Sequence, residues 1–197
     1  MAENDVRKYR MVAIGGSAGC LDVILKIASS LPPDSGSSFI VITHRKNDSE
    51  SILVDLLASR TIIKVKEVED KESILPNTIY VAPSDYHLLI EDKKTFSLDS
   101  SEKIHFSRPS IDVTMEMVAD VFTSSAIGIL LSGANADGAA GLHQIKEKGG
   151  FTIVQDPLSA EVSFMPLQAI NLNAANEILN AEAICEKLNY LLATAKS

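Results

Sequence analysis

Short apolar runs alternate along this chain with longer segments whose apolar residues recur every three or four positions. The short runs are typical of strands buried on both faces of a sheet, and the longer segments are typical of amphipathic helices. Predicted strands cover 11–14, 39–43, 62–65, 78–82, 126–131 and 151–154. Predicted helices cover 21–31, a segment through 52–57, a segment that Asp112 opens as its cap, a segment from Gly138 to the pair Gly149-Gly150, and 181–195.

The order of these elements indicates a fold class. Strands that alternate with helices predict an α/β protein with a doubly wound, mainly parallel sheet and helices on both faces. Two strand-like segments on either side of Asp92-Lys93-Lys94 add a β-hairpin near residues 87–99. No linker, internal repeat or low-complexity tract interrupts the 197 residues. We therefore predict an N-terminal tail over 1–10 and a single domain over 11–197.

The charge and composition of the chain disfavour several classes of partner. A formal net charge of −8 disfavours nucleic acid and anionic membrane surfaces, since both attract basic proteins. No apolar run approaches the length of a membrane span, and the N-terminus lacks the pattern of a signal peptide. Cys20 and Cys185 alone cannot form a disulfide framework or a zinc site. We expect a soluble, cytoplasmic protein without nucleic-acid binding or membrane insertion.

A Gly-x-Ser-x-Gly motif, Gly15 to Gly19, directly follows the first predicted strand and precedes a helix. In that context a serine hydroxyl can project from the sheet edge as a nucleophile, here Ser17. The helix start adds backbone N–H groups and a positive dipole end that can stabilise an oxyanion. Two other interpretations stay open for the motif alone: a phosphate-binding turn, and Ser17 as the N-cap of the helix.

Two further reactive residues follow predicted strands. His44 directly follows the strand over 39–43, and Asp137 lies in the loop after the strand over 126–131. Because the carboxyl ends of parallel strands meet at one edge of the sheet, these residues and Ser17 form a candidate Ser-His-Asp triad. Each also has a simpler interpretation, His44 as an exposed histidine and Asp137 as a helix cap. His87, paired with Asp85, is the alternative base.

Several segments together resemble the catalytic domain of the chemotaxis protein-glutamate methylesterases. They occur in the family's order along nearly the whole chain. They are Val12 to Gly19, Val81 to His87, Arg108 to Asp112, Leu130 to Gly133, Asp137 to Gly141, Gln155 to Pro157, Met165-Pro166 and Ala169-Ile170.

The resemblance implies a cytoplasmic serine hydrolase for glutamyl methyl esters, with a related deamidation of glutamine. It implies Ser17 as nucleophile, His44 as general base and acid, and Asp137 as the orienting carboxylate, without metal or organic cofactor. The implied partner is a methylated chemoreceptor or another methylated signalling protein. Backbone amides near Ser17 and in the aspartate loop are expected to support the oxyanion and the turn: those of Gly16, Ala18, Gly133 and Ala134.

The chain departs from the family pattern at three places. Ala18 and Cys20 stand where the family commonly has threonine and glycine, and Ala134 and Asn135 stand where the aspartate loop often has methionine and glycine. We expect Asn135 to keep the left-handed conformation, which asparagine tolerates. Only ten residues precede the first predicted strand, so we expect no receiver domain there, and control by a separate response-regulator partner is one alternative. The altered turn and loop also leave open a non-catalytic interaction module of the same fold.

Overall fold

The computed structural model describes residues 10–44, 50–104 and 107–193. The strands are β1 (Met11–Gly16), β2 (Ser38–Thr43), β3 (Lys64–Glu67), β4 (Thr78–Val81), β5 (His87–Asp92), β6 (Thr95–Asp99), β7 (Ala126–Leu130), β8 (Phe151–Gln155) and β9 (Glu177–Leu179). The helices are α1 (Leu21–Ser30), α2 (Glu50–Ala58), α3 (Ile111–Phe122), α4 (Ala139–Glu147), α5 (Phe164–Asn171) and α6 (Ala181–Ala193).

Seven of these strands form one parallel sheet in the order β3-β4-β2-β1-β7-β8-β9. The strands at its centre, β1, β2 and β7, are buried along their whole length, which matches their nearly continuous apolar sequences. Strands β5 and β6 pair antiparallel as a separate hairpin. The α/β fold class, the parallel sheet and the hairpin near residues 87–99 are confirmed.

The sheet is covered on both faces, because successive side chains of each strand point to opposite sides. In β1, Val12 and Ile14 pack into one apolar cluster with α1, α2 and α6. Met11 and Ala13 pack into a second cluster with α3, α4, α5 and the hairpin. Each face thus has its own core.

The structure corrects several predicted elements. Strand β3 lies two residues beyond the prediction, because the apolar pair Ile62-Ile63 precedes the strand and Ile62 is exposed. Helix α5 and strand β9 had not been predicted. The cap of α3 is Ser110 rather than Asp112, since the Ser110 hydroxyl accepts from the N–H of Val113.

The strand order places a switch point between β1 and β7. The connection after β1 leads to α1 on one face, whereas the connection after β7 leads to α4 on the other. A crevice at the carboxyl ends of the strands is the usual ligand site of such sheets. None of the helices in the described part of the chain is both long and apolar enough to span a bilayer.

Candidate active site

The turn after β1 leaves the Ser17 hydroxyl outside the capping of α1. The N-cap of α1 is Cys20, whose N–H donates to the Ser17 carbonyl at 3.2 Å, and no side chain caps this helix. The Ser17 N–H donates to the Ser132 carbonyl at 2.9 Å and so joins the ends of β1 and β7. Gly19 has a φ of 77°, the left-handed region that glycine adopts without strain. The interpretation of Ser17 as a helix cap is therefore wrong.

His44 and Asp137 are in direct contact. The Nε2 atom of His44, just beyond β2, lies 2.7 Å from Oδ2 of Asp137, in the loop between β7 and α4. The Asp137 side chain is fully buried, whereas that of His44 keeps a small exposed fraction. Two residues separated by 93 positions in sequence are thus paired at the carboxyl edge of the sheet.

Asp137 is held by the first turn of α3 rather than capping its own helix α4. Its Oδ1 accepts from the Ser110 hydroxyl at 2.8 Å and from the Asp112 N–H at 2.9 Å. Its Oδ2 accepts from the Ile111 N–H at 2.8 Å in addition to His44. Burial alone would raise the pKa of Asp137, but the hydrogen bonds from His44, from the two amides and from Ser110 outweigh it and lower the pKa. The carboxylate is therefore ionised at neutral pH.

The ionised carboxylate defines the tautomer of His44. A carboxylate only accepts hydrogen bonds, so the ring proton of neutral His44 lies on Nε2 and Nδ1 has its lone pair available. In the serine protease triad the carboxylate binds Nδ1 and Nε2 takes the serine proton. Here the carboxylate contacts Nε2 instead.

A cavity of about 230 Å³ lies between α1 and α2 beside the histidine. Its lining consists mostly of apolar side chains and includes Ser17 and His44. The lining residues within the described part of the chain are Ser17, Cys20, Leu21, Ile24, Thr43, His44, Ile52, Leu53 and Leu56. A predicted nucleophile and a predicted base thus line one apolar cavity, with the carboxylate behind the base. Such a site can perform acyl transfer.

Comparison with known proteins shows the family. Residues 12–188 match the family model described as CheB methylesterase. The chain belongs to the CheB methylesterase family. The crystal structure of the CheB methylesterase catalytic domain of Thermotoga maritima is similar, with a TM-score of 0.88 and 33% identity, over 93% of this chain and 98% of that one.

Curated relatives carry the activity in their names. A Leptospira interrogans relative is 43% identical over 90% of this chain and 92% of its own length. The protein-glutamate methylesterase/protein-glutamine glutaminase 2 of Syntrophus aciditrophicus is 31% identical over 91% of this chain. The protein-glutamate methylesterase FrzG of Myxococcus xanthus is 33% identical over 87%. The chain spans about half the length of these last two relatives. Like them, this CheB methylesterase family member is of the protein-glutamate methylesterase class.

The four residues expected to support the oxyanion and the turn occupy different positions in this CheB-type site. Gly16 ends β1 opposite Thr43, and a side chain there would collide with Cys20. The N–H of Gly133 donates to the Val162 carbonyl at 3.1 Å, so this amide is already used and Gly133 supports the turn only. Ala18 and Ala134 are both exposed at the edge of the sheet, and their amides stay our oxyanion candidates.

The structure also corrects the expectation for Asn135. Its φ is not in the left-handed region. Instead its Oδ1 accepts from the N–H of Asp137 at 3.1 Å, a side-chain contact two residues along the chain of the kind that forms an Asx turn. The asparagine thus stabilises the loop by a hydrogen bond that a glycine could not make.

His87 is an unsuitable base. It is buried, its Nδ1 accepts from the Ser110 N–H at 3.2 Å, and its Nε2 therefore donates to the Glu102 carbonyl at 2.9 Å. Both ring nitrogens are used to hold the segment that leads into α3. The alternative of an Asp85–His87 pair is thus unsupported, and His87 indirectly supports Asp137 through Ser110.

Cys20 also lines the cavity. Burial raises the pKa of its thiol to about 12, so the thiol stays protonated at neutral pH.

Within residues 10–44, 50–104 and 107–193, no cluster of three His, Cys, Asp or Glu side chains is arranged to hold a metal ion.

Sequence reasoning missed two features of the site. The N-terminal turn of α3 holds the carboxylate, and the only sequence signal was the segment Arg108 to Asp112 in the family resemblance. Thr43 lines the cavity at the end of β2, and a hydroxyl directly before the predicted base was the available signal.

Proposed function

We propose that this protein hydrolyses glutamyl methyl esters of methylated chemoreceptors or other methylated signalling proteins through Ser17, His44 and Asp137. The observation that carries the proposal is the 2.7 Å contact between His44 Nε2 and the buried Asp137 carboxylate, beside a cavity that Ser17 also lines. The ionised carboxylate keeps the ring proton on Nε2 and stabilises the imidazolium that forms during catalysis. The relatives named above support the ester as substrate class.

In the first half of the reaction Ser17 becomes acylated. His44 Nδ1 takes the proton of the Ser17 hydroxyl while Oγ attacks the ester carbonyl. The amides of Ala18 and Ala134 are our candidates for stabilising the oxyanion, and one such donor contributes about 3–4 kcal/mol in other enzymes. The C–O bond to the methoxy group then breaks, and methanol leaves with the proton from His44.

In the second half, water hydrolyses the acyl-enzyme. His44 takes a proton from the water, the water oxygen bonds to the acyl carbon, and Ser17 leaves with that proton. A glutamine side chain would follow the same path with ammonia as the leaving group, which matches the glutaminase activity in the name of the Syntrophus aciditrophicus relative.

Labelling with a fluorophosphonate tests the nucleophile, and methanol release from a methylated chemoreceptor fragment tests the substrate. We expect one adduct, on Ser17 by peptide mass spectrometry, and none in Ser17→Ala. His44→Ala should be labelled far more slowly. Ser124→Ala is the matched control, because Ser124 is exposed at the opposite end of the sheet beside β7.

These two measurements distinguish an esterase from a non-catalytic interaction module. A folded protein that neither reacts with the fluorophosphonate nor releases methanol, yet binds the receptor fragment, would be the interaction module. An adduct on another serine would refute the assignment of Ser17. Labelling of Ser17 without methanol release from the fragment would keep the triad and reject this substrate.

A further inference from the structure

Ser132, two residues beyond the end of β7, binds the backbone on both sides of the Ser17 side chain. Its carbonyl accepts from the N–H of Ser17 at 2.9 Å. Its hydroxyl Oγ donates to the carbonyl of Ala18 at 2.7 Å. Ser132 is fully buried, so it reaches the proposed nucleophile only through the turn and does not touch a substrate.

The hydroxyl proton of Ser132 is committed to Ala18. A serine hydroxyl has one proton to donate, and two carbonyls lie within reach of Oγ, that of Ala18 at 2.7 Å and that of Val162 at 3.2 Å. The Val162 carbonyl already accepts from the N–H of Gly133, and the Val162 N–H donates to Ser132 Oγ at 2.9 Å. The hydroxyl therefore donates to Ala18 and accepts from Val162, which links the turn after β1 to the segment before α5.

The turn that carries Ser17 needs such a contact from outside. Ala18 and Gly19 bring no polar side-chain atom to it, and the Ser17 hydroxyl must stay free for the reaction. Gly19 has a φ of 77°, and glycine is the residue with the greatest backbone freedom. A Cβ at Gly19 would lie 2.9 Å from Ser132 Oγ, so the hydroxyl packs closely against the turn that it binds.

Ser132 is itself held by β8. Its N–H donates to Oε1 of Gln155 at 3.0 Å, and Gln155 is the buried last residue of that strand. Gln155 Nε2 in turn donates to the carbonyl of Ser159 at 3.3 Å. A residue that supports a reactive group is effective when packing and further hydrogen bonds lock it in place. Ser132 meets this condition, because its amide, carbonyl and hydroxyl are all hydrogen-bonded in a buried environment.

We infer that Ser132 is a positioning residue for the nucleophile, whose hydroxyl fixes the Ala18 carbonyl and so keeps Ser17 in the cavity that His44 also lines. This rests on the proposed function, since it needs Ser17 to be the nucleophile. Loss of the hydroxyl should slow the attack by Ser17, because misplacing a reacting atom by about 1 Å can lower a rate about 100-fold. Asp137 is held by α3 rather than by Ser132, so the base should keep its orientation.

The test compares Ser132→Ala, which removes only the hydroxyl, with Thr152→Val as a matched control. Thr152 is fully buried near the start of β8, at the opposite end of the sheet. Its hydroxyl donates to the Ala174 carbonyl at 2.6 Å and accepts from the Asn176 N–H at 3.0 Å. Each variant thus loses a buried hydroxyl that joins two backbone groups, and we expect similar losses of thermal stability.

The rate of fluorophosphonate labelling of Ser17 should nevertheless differ between the two variants. We expect it to fall at least tenfold in Ser132→Ala and to stay at the wild-type rate in Thr152→Val, at a temperature where both are folded. Ser132→Thr, which keeps the hydroxyl, should recover most of the rate. The acid limb of the pH dependence of labelling, which the base sets, should keep its midpoint in Ser132→Ala.

Four outcomes would overturn the inference. They are a wild-type labelling rate in Ser132→Ala, an equal loss of rate in Ser132→Ala and Thr152→Val, a shifted acid limb in Ser132→Ala, and a Ser132→Thr variant that melts like the wild type but is labelled as slowly as Ser132→Ala. A wild-type protein whose Ser17 is never labelled would instead overturn the proposed function.

Discussion

The backbone N–H of Asp112 donates to the carboxylate of Asp137 at 2.9 Å, while the carboxylate of Asp112 accepts from the N–H of Gly141 at 2.7 Å. Asp137, just before α4, thus accepts a hydrogen bond from the first turn of α3. In return, Asp112 in the first turn of α3 accepts one from the first turn of α4. The first N–H groups of a helix have no acceptor within the helix, and its N-terminus is the positive end of the helix dipole. Both properties favour a negative charge there. The predicted triad carboxylate is therefore also a connection between two helices.

Asp137→Asn should leave the protein folded and nearly inactive. The asparagine carries no negative charge and no longer requires the His44 proton on Nε2, so the base loses its orientation and its stabilised imidazolium. In a serine protease this change lowers kcat about 10⁴-fold, and we expect a loss of about 10³–10⁴-fold in methanol release. Asp120→Asn, which removes an exposed α3 carboxylate that pairs with Lys148, is the control and should keep wild-type activity. Comparable rates in both variants would refute the role of Asp137.

The lowered pKa of Asp137 predicts how stability depends on pH. A carboxyl whose pKa is lower in the folded state stabilises the fold above its unfolded pKa of about 3.9, and this contribution is lost as the pH falls through the folded pKa. The difference in unfolding free energy between wild type and Asp137→Asn should thus shrink as the pH falls below about 4. Urea titrations at several pH values measure it. Parallel curves for the two proteins down to about pH 3 would contradict the expectation.

Much of the fold could be predicted because its central strands are buried on both faces and their sequences are nearly continuous apolar runs. The edge strands β3 and β9 lack that signal. β3 reads Lys-Val-Lys-Glu and has no fully buried residue, and Ile178 in the three-residue β9 is exposed. Their pairing depends on the neighbouring strand rather than on their own composition.

The candidate residues could be proposed from the sequence because Ser17 and His44 directly follow strands of one parallel sheet and Asp137 lies in the loop after a third strand. The groups that hold Asp137 in place could not be predicted in this way. The contacts between Asp137 and the start of α3 join residues 25 to 27 positions apart, and backbone amides make two of them. An amide donor leaves no trace in the side-chain pattern, so only the packing of α3 against α4 reveals it.

Cys20 should resist alkylation although it lines the cavity. With a pKa of about 12, roughly one thiol in 10⁴ is ionised at pH 8, and the thiolate is the reactive form. Iodoacetamide should therefore modify Cys20 in the native protein far more slowly than in urea, as followed by peptide mass spectrometry. Cys20→Ala should retain fluorophosphonate labelling of Ser17. Rapid alkylation of Cys20 in the native protein would contradict the buried, protonated state of its thiol.

Gly19→Ala and Gly149→Ala form a matched pair that tests the turn beside Ser17. Both glycines have positive φ, 77° and 84°, so both substitutions strain the backbone by about 1 kcal/mol. The two positions differ in the room that is available for an added Cβ atom. A Cβ at Gly19 would lie 2.5 Å from Cβ of Glu161 and 2.9 Å from Oγ of Ser132, whereas at Gly149 its nearest neighbour lies at 3.6 Å.

We therefore expect the two variants to lose similar stability from backbone strain, with an additional loss in Gly19→Ala. Ser132 Oγ donates to the Ala18 carbonyl at 2.7 Å, so its displacement moves the turn that presents Ser17. Fluorophosphonate labelling should fall at least tenfold in Gly19→Ala and stay at the wild-type rate in Gly149→Ala, with thermal melting as the check on folding. Equal labelling rates would mean that the nucleophile tolerates a displaced turn, because the two variants share the same backbone strain and differ in the contact with Ser132 and Glu161.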